Sequence, residues 1–492
     1  MAYSLRSVFK GGSVYTIGQV GTSALGFFLI PIYTRFLSPG EYGVVGYLHV
    51  LLQLMSTILM FGFYGAQTRY YYEFKNEDRR IGEFLFSINM YLIGLLVLIC
   101  GFLTFWGSYI YGLLKVEDIP FYPYLPIVIW TAFFQIINQM VVSYYLASKQ
   151  FKECALLQFL QFAFMTAMIL FFVVYMKEGA LGKVKGHLVG QMAFFVLFYI
   201  PYFRKFVPRF DKQYVKYALG FGIPIVFHLL AVVLHNSIDR VILEKYVTME
   251  QLGIYSLGYQ IGMVMSIIVI AVNNAWQPNY FDLMASDRHD KEYENRRIFA
   301  LWLVVIGSIC LIGMLWAKEF LILFTPEDYH AADGVVPIII LGYFFQGVYF
   351  FAVSPIFQFK KTKVLPFLTG AAALLNISLN FLLIPRFGIY GAAYATLISF
   401  CFQSVFVYFV SRRLYNPNFE VAKILLVVIL LISVPVTNIG LEINFEMQLF
   451  KAIYFCGFVL TNFFLFKSYT MPILVRICLR SRTDTSDGAA AG

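Results

Sequence analysis

Apolar residues in this chain come in long blocks, with polar residues gathered between them. Fourteen such blocks of about 18–26 residues can be read, each the length a helix needs to cross a ~30 Å hydrocarbon layer. They lie near 11–33, 44–66, 84–106, 121–146, 154–176, 186–203, 218–243, 253–275, 298–324, 335–357, 364–385, 390–411, 421–440 and 448–469. The alternating strands of a transmembrane barrel, about ten residues each, do not occur. The pattern predicts an all-α integral membrane protein with about 14 transmembrane helices.

The blocks repeat. Residues 35–44, "RFLSPGEYGV", match residues 245–254, "KYVTMEQLGI", like for like at seven of ten positions. At the same offset of 210, "GAQTRYYY" (65–72) meets "AWQPNYFD" (275–282), pairing Gln67 with Gln277 and Tyr70 with Tyr280. Further on Pro126 meets Pro337, "FFQ" at 133–135 meets "FFQ" at 344–346, and Gly182 meets Gly391. Their collinear order indicates an old duplication. Six spans separate the copies, so both copies share one orientation, and the repeat is parallel rather than inverted. The expected organisation is an N-terminal six-helix bundle (1–205), a repeat of it (206–413), two extra helices (414–480) and a disordered polar tail (481–492).

Composition agrees with a membrane protein: 60% of the 492 residues are hydrophobic and 13% charged. Charge adds the orientation. Of the 37 Lys and Arg, 27 fall at the termini and in the alternate loops on the terminal side, which predicts both termini in the cytoplasm. The net charge of +10 then reflects anionic lipid and requires no nucleic acid. The first block is too long for a cleaved signal and reads as an uncleaved span. The six cysteines are scattered through apolar segments without metal or redox spacing.

The stretch "GSVYTIGQVGTSALGFFLIPIYTRFLSPGEYGVVGYL", followed by "FGFYGAQTRYYYEF", resembles the first two spans of bacterial polysaccharide flippases of the Wzx type. "NSIDRVILEKYVTMEQLGIYSLGYQI" resembles that family's seventh-to-eighth-span segment with its Asp-Arg pair. The resemblance covers spans 1–12 in order. It implies the fold of the multidrug/oligosaccharidyl-lipid/polysaccharide exporter superfamily. It also implies a polyprenyl-diphosphate-linked oligosaccharide as substrate, the bacterial cytoplasmic membrane as location and polysaccharide polymerase machinery as a candidate partner.

Polar groups inside apolar blocks are costly, which makes their positions informative. In the seventh block, with 100° per residue counted from His228, His235 falls at about −20° and Asp239 at about +20°. They form one stripe over roughly 16 Å of helix. Arg240 lies about 100° further round, and Pro224 offers a kink. Either these groups satisfy one another and their neighbours, or the stripe lines a cavity between the bundles. In the second case Arg240 would meet a diphosphate, and Asp239 a cation or proton. Gln19 shares one face of the first span with Thr16, Ser23 and Gly26, and is a candidate cavity residue or part of a close-packed helix face. Arg69, ending the second span, is an interfacial anchor or a headgroup contact, and Arg35 reads as an anchor of the outer loop. Amides within the blocks, among them Asn138, Gln161, Asn376 and Asn380, suit sugar hydroxyls or interhelical hydrogen bonds.

Transport by alternating access between two like bundles is the expected function, with no cofactor and with coupling to H+ or Na+ left open. A cation-coupled multidrug antiporter would want more intramembrane carboxylates than Asp239 and, at a span end, Glu319. A polysaccharide polymerase or glycosyltransferase would want long outer loops, and these run only about 4–15 residues. No phosphate-binding loop motif is present.

Overall fold

The computed structural model describes residues 26–113, 116, 118–287, 289–416, 418–437 and 444–469. Most of the first block, with Thr16, Gln19 and Ser23, and the polar tail lie outside these residues. The described chain is helical, with no strand among the described residues. A short helix α1 (Ile30–Phe36) leads into α2 (Pro39–Leu59), α3 (Phe63–Glu73), α4 (Asp78–Leu113), α5 (Phe121–Ala147) and α6 (Phe151–Leu170). Next come α7 (Gly179–Phe194), α8 (Lys212–Leu243), α9 (Met249–Gly262), α10 (Val264–Ala285), α11 (Lys291–Leu315) and α12 (Ala317–Phe324). The series closes with α13 (Val335–Gln358), α14 (Leu365–Arg412), α15 (Val421–Thr437) and α16 (Phe445–Leu465). Among the described residues, 11 helices are long and apolar enough to cross a membrane. Helical hydrogen bonding within each span satisfies the backbone where no water can.

Several blocks begin or end elsewhere than hydrophobicity alone places them. The block 44–66 is two helices, because the chain turns through Phe61 (φ 49°) and Gly62 (φ 69°) between α2 and α3. The block expected at 186–203 starts as α7 at Gly179, seven residues earlier. The blocks at 364–385 and 390–411 join in α14, interrupted by a non-helical Gly388.

Some local features recur at the matched stretches. Ser38 caps α2: its Oγ accepts from the Glu41 N–H at 3.3 Å, and Glu41 Oε2 accepts from the Ser38 N–H at 2.9 Å. This reciprocal capping box is what "SPGE" encodes. In the second copy, Thr248 Oγ1 accepts from the Gln251 N–H at 3.3 Å at the start of α9. Two turns recur as well. Gly179 (φ 57°) and Gly388 (φ 54°) both take left-handed backbone, which only glycine adopts without strain. Three residues after each turn, Gly182 lies against the Phe172 backbone and Gly391 against that of Leu383–Ile384.

The described residues fall into two compact units. One gathers those up to Gln260 with Phe324–Ala332 and Thr369–Thr396; the other holds Ile261–Leu323, Asp333–Leu368 and those from Leu397 on. In the first, Phe63, Tyr70, Phe84, Ile88, Ile136 and Met140 form a buried core. Polar links tie that core together. Gln67 Nε2 donates to the Met140 carbonyl at 2.8 Å, Tyr202 Oη donates to Gln67 Oε1 at 2.6 Å, and Asn89 Nδ2 donates to Tyr202 Oη at 3.0 Å. Asn138 and Gln161 both donate to Gln191 Oε1, at 2.8 and 2.9 Å, so these intramembrane amides join helices. In the second unit α13 is buried along most of its length, with Phe344 and Phe351 against Trp302.

The second unit also buries an ion pair. Lys451 of α16 is fully buried and donates to Glu319 Oε1 of α12, which Gln448 Nε2 also reaches. This bond ties α16 to α12 within the unit. Removing one partner strands the other charge, at a cost of about 3–5 kcal/mol. Glu319→Gln should therefore lower the thermal midpoint in detergent by several degrees, and Glu319→Leu/Lys451→Met should recover most of the loss. An unchanged midpoint for Glu319→Gln would show that the pair holds nothing together.

Candidate functional site: a cation–aromatic cluster in the first unit

Four helices of the first unit converge where α2 and α9 cross. A Cβ added to Gly43 would overlap the Met249 carbonyl, and one added to Gly253 would overlap the Pro39 carbonyl. These glycines, 210 residues apart, therefore let two backbones touch. One helical turn on, a Cβ at Gly46 would strike the Ser256 side chain.

Around this crossing, charged groups rest on aromatic rings. On α7, Lys183, His187 and Gln191 follow at intervals of four and so share a face. Lys183 Nζ stands 4.3 Å from the Tyr33 ring centroid and 4.8 Å from that of Tyr42. On α8, the Arg240 guanidinium lies 4.2 Å over the Tyr259 ring and 5.7 Å from Tyr255. A cation over the face of an aromatic ring is held there by the ring quadrupole.

Asp239 anchors the arginine. It is 2% exposed, and its Oδ1 accepts from the Arg240 backbone N–H at 2.8 Å and from Nη1 at 3.2 Å. Its Oδ2 accepts from the Tyr255 hydroxyl. This carboxylate is saturated with donors and fixes the direction of the guanidinium. Polar side chains extend the cluster: the Tyr42 hydroxyl donates to Gln260 Oε1, His49 bonds Gln53 at 2.9 Å, and Ser237 Oγ donates to Gln53 Oε1 at 3.1 Å. His49 is exposed and lies within electrostatic reach of Lys183, His187 and Arg240. No group of three or more His, Cys, Asp or Glu suited to a metal ion occurs among the described residues.

The residues singled out in the sequence separate on this map. Asp239 and Arg240 belong to the cluster, and His235, 3% exposed, lies one turn before Asp239 on the same helix. His228 is half-buried, about 10 Å further along α8, with Nδ1 lacking a hydrogen-bond partner. Arg69 is elsewhere: it pairs with Glu73 at 2.7 Å and stacks 5.0 Å from the Phe221 ring, 19 residues or about 28 Å along α8 from Arg240. Gln19 lies outside the described residues. Lys183, His187, His49 and the tyrosines carry no polar-in-apolar signal strong enough to single them out in the sequence. A block starting at 186 leaves Lys183 in a loop, whereas the helix begins at Gly179 and the four-residue spacing of Lys183, His187 and Gln191 is helical.

A family model described as "Polysaccharide biosynthesis protein" matches residues 8–284, more than half of the chain. A second, "MatE", matches residues 224–382. A Haemophilus influenzae protein named "Uncharacterized membrane protein" is 23% identical over 369 residues, covering 73% of this chain and 86% of its own. The "Probable flippase AglR" of Haloferax volcanii is 27% identical over 179 residues, covering 35% of this chain and 37% of its own. Among solved structures, "Lipid II flippase MurJ, inward closed conformation" superimposes with a TM-score of 0.67 at 13% identity, over 94% of this chain and 99% of that one. That likeness establishes the fold.

The geometry makes Asp239 and Arg240 one energetic unit. Asp239→Asn and Arg240→Gln should each lower the thermal midpoint in detergent, by about 2–4 kcal/mol of stability. The double variant should lose at least ~1 kcal/mol less than the sum. Strictly additive losses would mean that the two side chains stand independently.

Proposed function

The chain belongs to the polysaccharide biosynthesis protein family, and from that premise we propose that it carries a polyprenyl-diphosphate-linked oligosaccharide from the inner to the outer leaflet of the bacterial cytoplasmic membrane. It is a multi-pass membrane transporter, not an enzyme. The observation that carries the substrate reading is the seating of Lys183 and Arg240 on tyrosine faces at the glycine crossing. A diphosphate cannot enter a membrane interior without counter-charges, because an unpaired charge there costs several kcal/mol. Arg240, aimed by Asp239, offers the forked donor geometry that matches phosphate oxygens, and Lys183 adds a point charge. Gln53, Gln260, His49 and His187 offer the neutral hydrogen-bonding groups that sugar hydroxyls require. The similar proteins named as a probable flippase and a lipid II flippase support this reading.

Alternating access supplies the mechanism in this proposal, with two six-span bundles at 1–205 and 206–413 as the moving parts. The touching backbones at Gly43 and Gly253 would close one side of the pathway when seated and free it when parted. Fourteen crossings and cytoplasmic termini remain part of the proposal. The 51-residue stretch Thr362–Arg412, interrupted at Gly388, is long enough for two crossings, and α15 together with residues 11–33 would supply the others. Coupling to H+ or Na+ and delivery to polymerase machinery belong to it as well. A second reading, a cation-coupled multidrug antiporter, draws on the MatE match and on Asp239 as an intramembrane carboxylate.

Purified protein in liposomes bearing a fluorescent polyprenyl-diphosphate oligosaccharide would decide between them, with lipid exposure followed by an external quencher. Wild type should flip the lipid. Lys183→Gln and Arg240→Gln should each slow it by roughly tenfold or more, the loss of one buried charge-assisted bond of about 1.5–3 kcal/mol. Absence of flipping together with cation-driven dye efflux would move the protein to the antiporter reading. Gly43→Leu, which drives a side chain into the Met249 carbonyl, should abolish flipping in protein that still inserts. Full activity in that variant would remove the crossing from the mechanism.

A further inference from the structure

A groove of about 670 Å³ opens in the first unit between α4 and the N-terminal half of α8. Tyr91, Phe210, Gly220 and Pro224 are among its walls, and Lys212 and Lys216 stand at one end. Both lysines are exposed, and neither has an ion-pair partner among the described residues. The adjacent carboxylate is committed elsewhere, since Asp211 Oδ1 accepts from the Gln213 N–H at 2.8 Å and caps α8. Midway along the groove a Cβ at Gly220 would meet nothing within 4 Å, so the floor is open there. Beyond it the apolar surface continues outward: Ile223 is 44% and Phe227 70% exposed.

The positions Lys212, Lys216, Gly220 and Pro224 recur at intervals of four and run along one face of α8. From Lys212 to Pro224 they span about 18 Å, close to the depth of one leaflet of a ~30 Å hydrocarbon layer. Two unpaired cations at one end of an apolar trough one leaflet deep have the complement of a phospholipid: a phosphate at the end, hydrocarbon along the length. The cationic end lies in the basic segment that the distribution of Lys and Arg assigns to the cytoplasmic side, where anionic lipid is concentrated.

We propose that this groove is a binding site for an anionic phospholipid of the bilayer, its phosphate between Lys212 and Lys216 and an acyl chain along Gly220 and Pro224. The site is separate from the cation–aromatic cluster and does not depend on which substrate that cluster carries. Each lysine near the membrane surface strengthens attraction to anionic lipid by roughly fivefold, so the pair discriminates anionic from zwitterionic lipid by an order of magnitude or more.

The test uses the full chain in phosphatidylcholine vesicles containing phosphatidylglycerol, with a trace of photoactivatable lipid and mass-spectrometric mapping of the adducts. Three probes are compared: photoactivatable phosphatidylglycerol, phosphatidylcholine and polyprenyl phosphate. Phosphatidylglycerol should label residues 210–224 about tenfold more than phosphatidylcholine. Lys212→Gln/Lys216→Gln should erase that preference, while Lys360→Gln/Lys361→Gln, with the same charge loss at exposed lysines elsewhere, should keep it. Gly220→Leu, tolerated because its side chain enters open space, should reduce labelling by both phospholipids. Equal labelling by the two phospholipids, or a preference indifferent to Lys212 and Lys216, would overturn the proposal. So would stronger labelling by polyprenyl phosphate than by phosphatidylglycerol, since the groove would then belong to the carrier lipid.

Discussion

Two backbones touch where α2 meets α9, and much of the first unit is arranged around that contact. Gly43 and Gly253 allow it because neither carries a Cβ to hold the helices apart. In a bilayer, where apolar side chains gain little by leaving lipid for protein, close packing of small residues is a main source of helix association. The crossing brings Tyr42 to Gln260 and, through α9, sets Tyr255 and Tyr259 under the Asp239–Arg240 pair. The two glycines thus do two things at once: they let the backbones of α2 and α9 meet, and they bring polar side chains of both helices together.

Burying charge there has its own logic. An isolated arginine or aspartate inside the membrane would be expensive, and the protein reduces the cost by giving Asp239 three donors and Arg240 both a carboxylate and an aromatic face. Lys183 is stabilised differently, by two tyrosine rings. The Lys451–Glu319 pair shows the contrasting use: it is buried between α12 and α16 and joins them. The difference lies in what surrounds each cation. Lys183 and Arg240 rest on tyrosine faces, Arg240 with a carboxylate beside it as well, whereas Lys451 is enclosed by a carboxylate and its neighbouring amide.

Glu41 shows how a remote contact can decide a local boundary. One of its oxygens completes the capping box of α2, while the other accepts from the Ala180 N–H at 3.4 Å at the start of α7. An anion at a helix N-terminus is favourable, so α7 starts at Gly179 and carries Lys183 and His187 inside the helix. Without that cap, hydrophobicity alone starts the helix near 186 and leaves Lys183 in a loop.

By itself the sequence determined what depends on sums along the chain or on spacing within one helix. Transfer free energies add residue by residue, so the apolar blocks and the membrane class were legible. Spacing is read along the chain, so the doubled motif at 35–44 and 245–254 was legible, and the shared face of His235 and Asp239 followed from helical periodicity. Tertiary structure decided what depends on which helices cross. No property of residue 43 announces that it will meet residue 253, and nothing near Arg240 in sequence specifies the Tyr259 ring beneath it. Those pairings come from two backbones close enough to touch, a condition set by distant segments together and carried by neither alone.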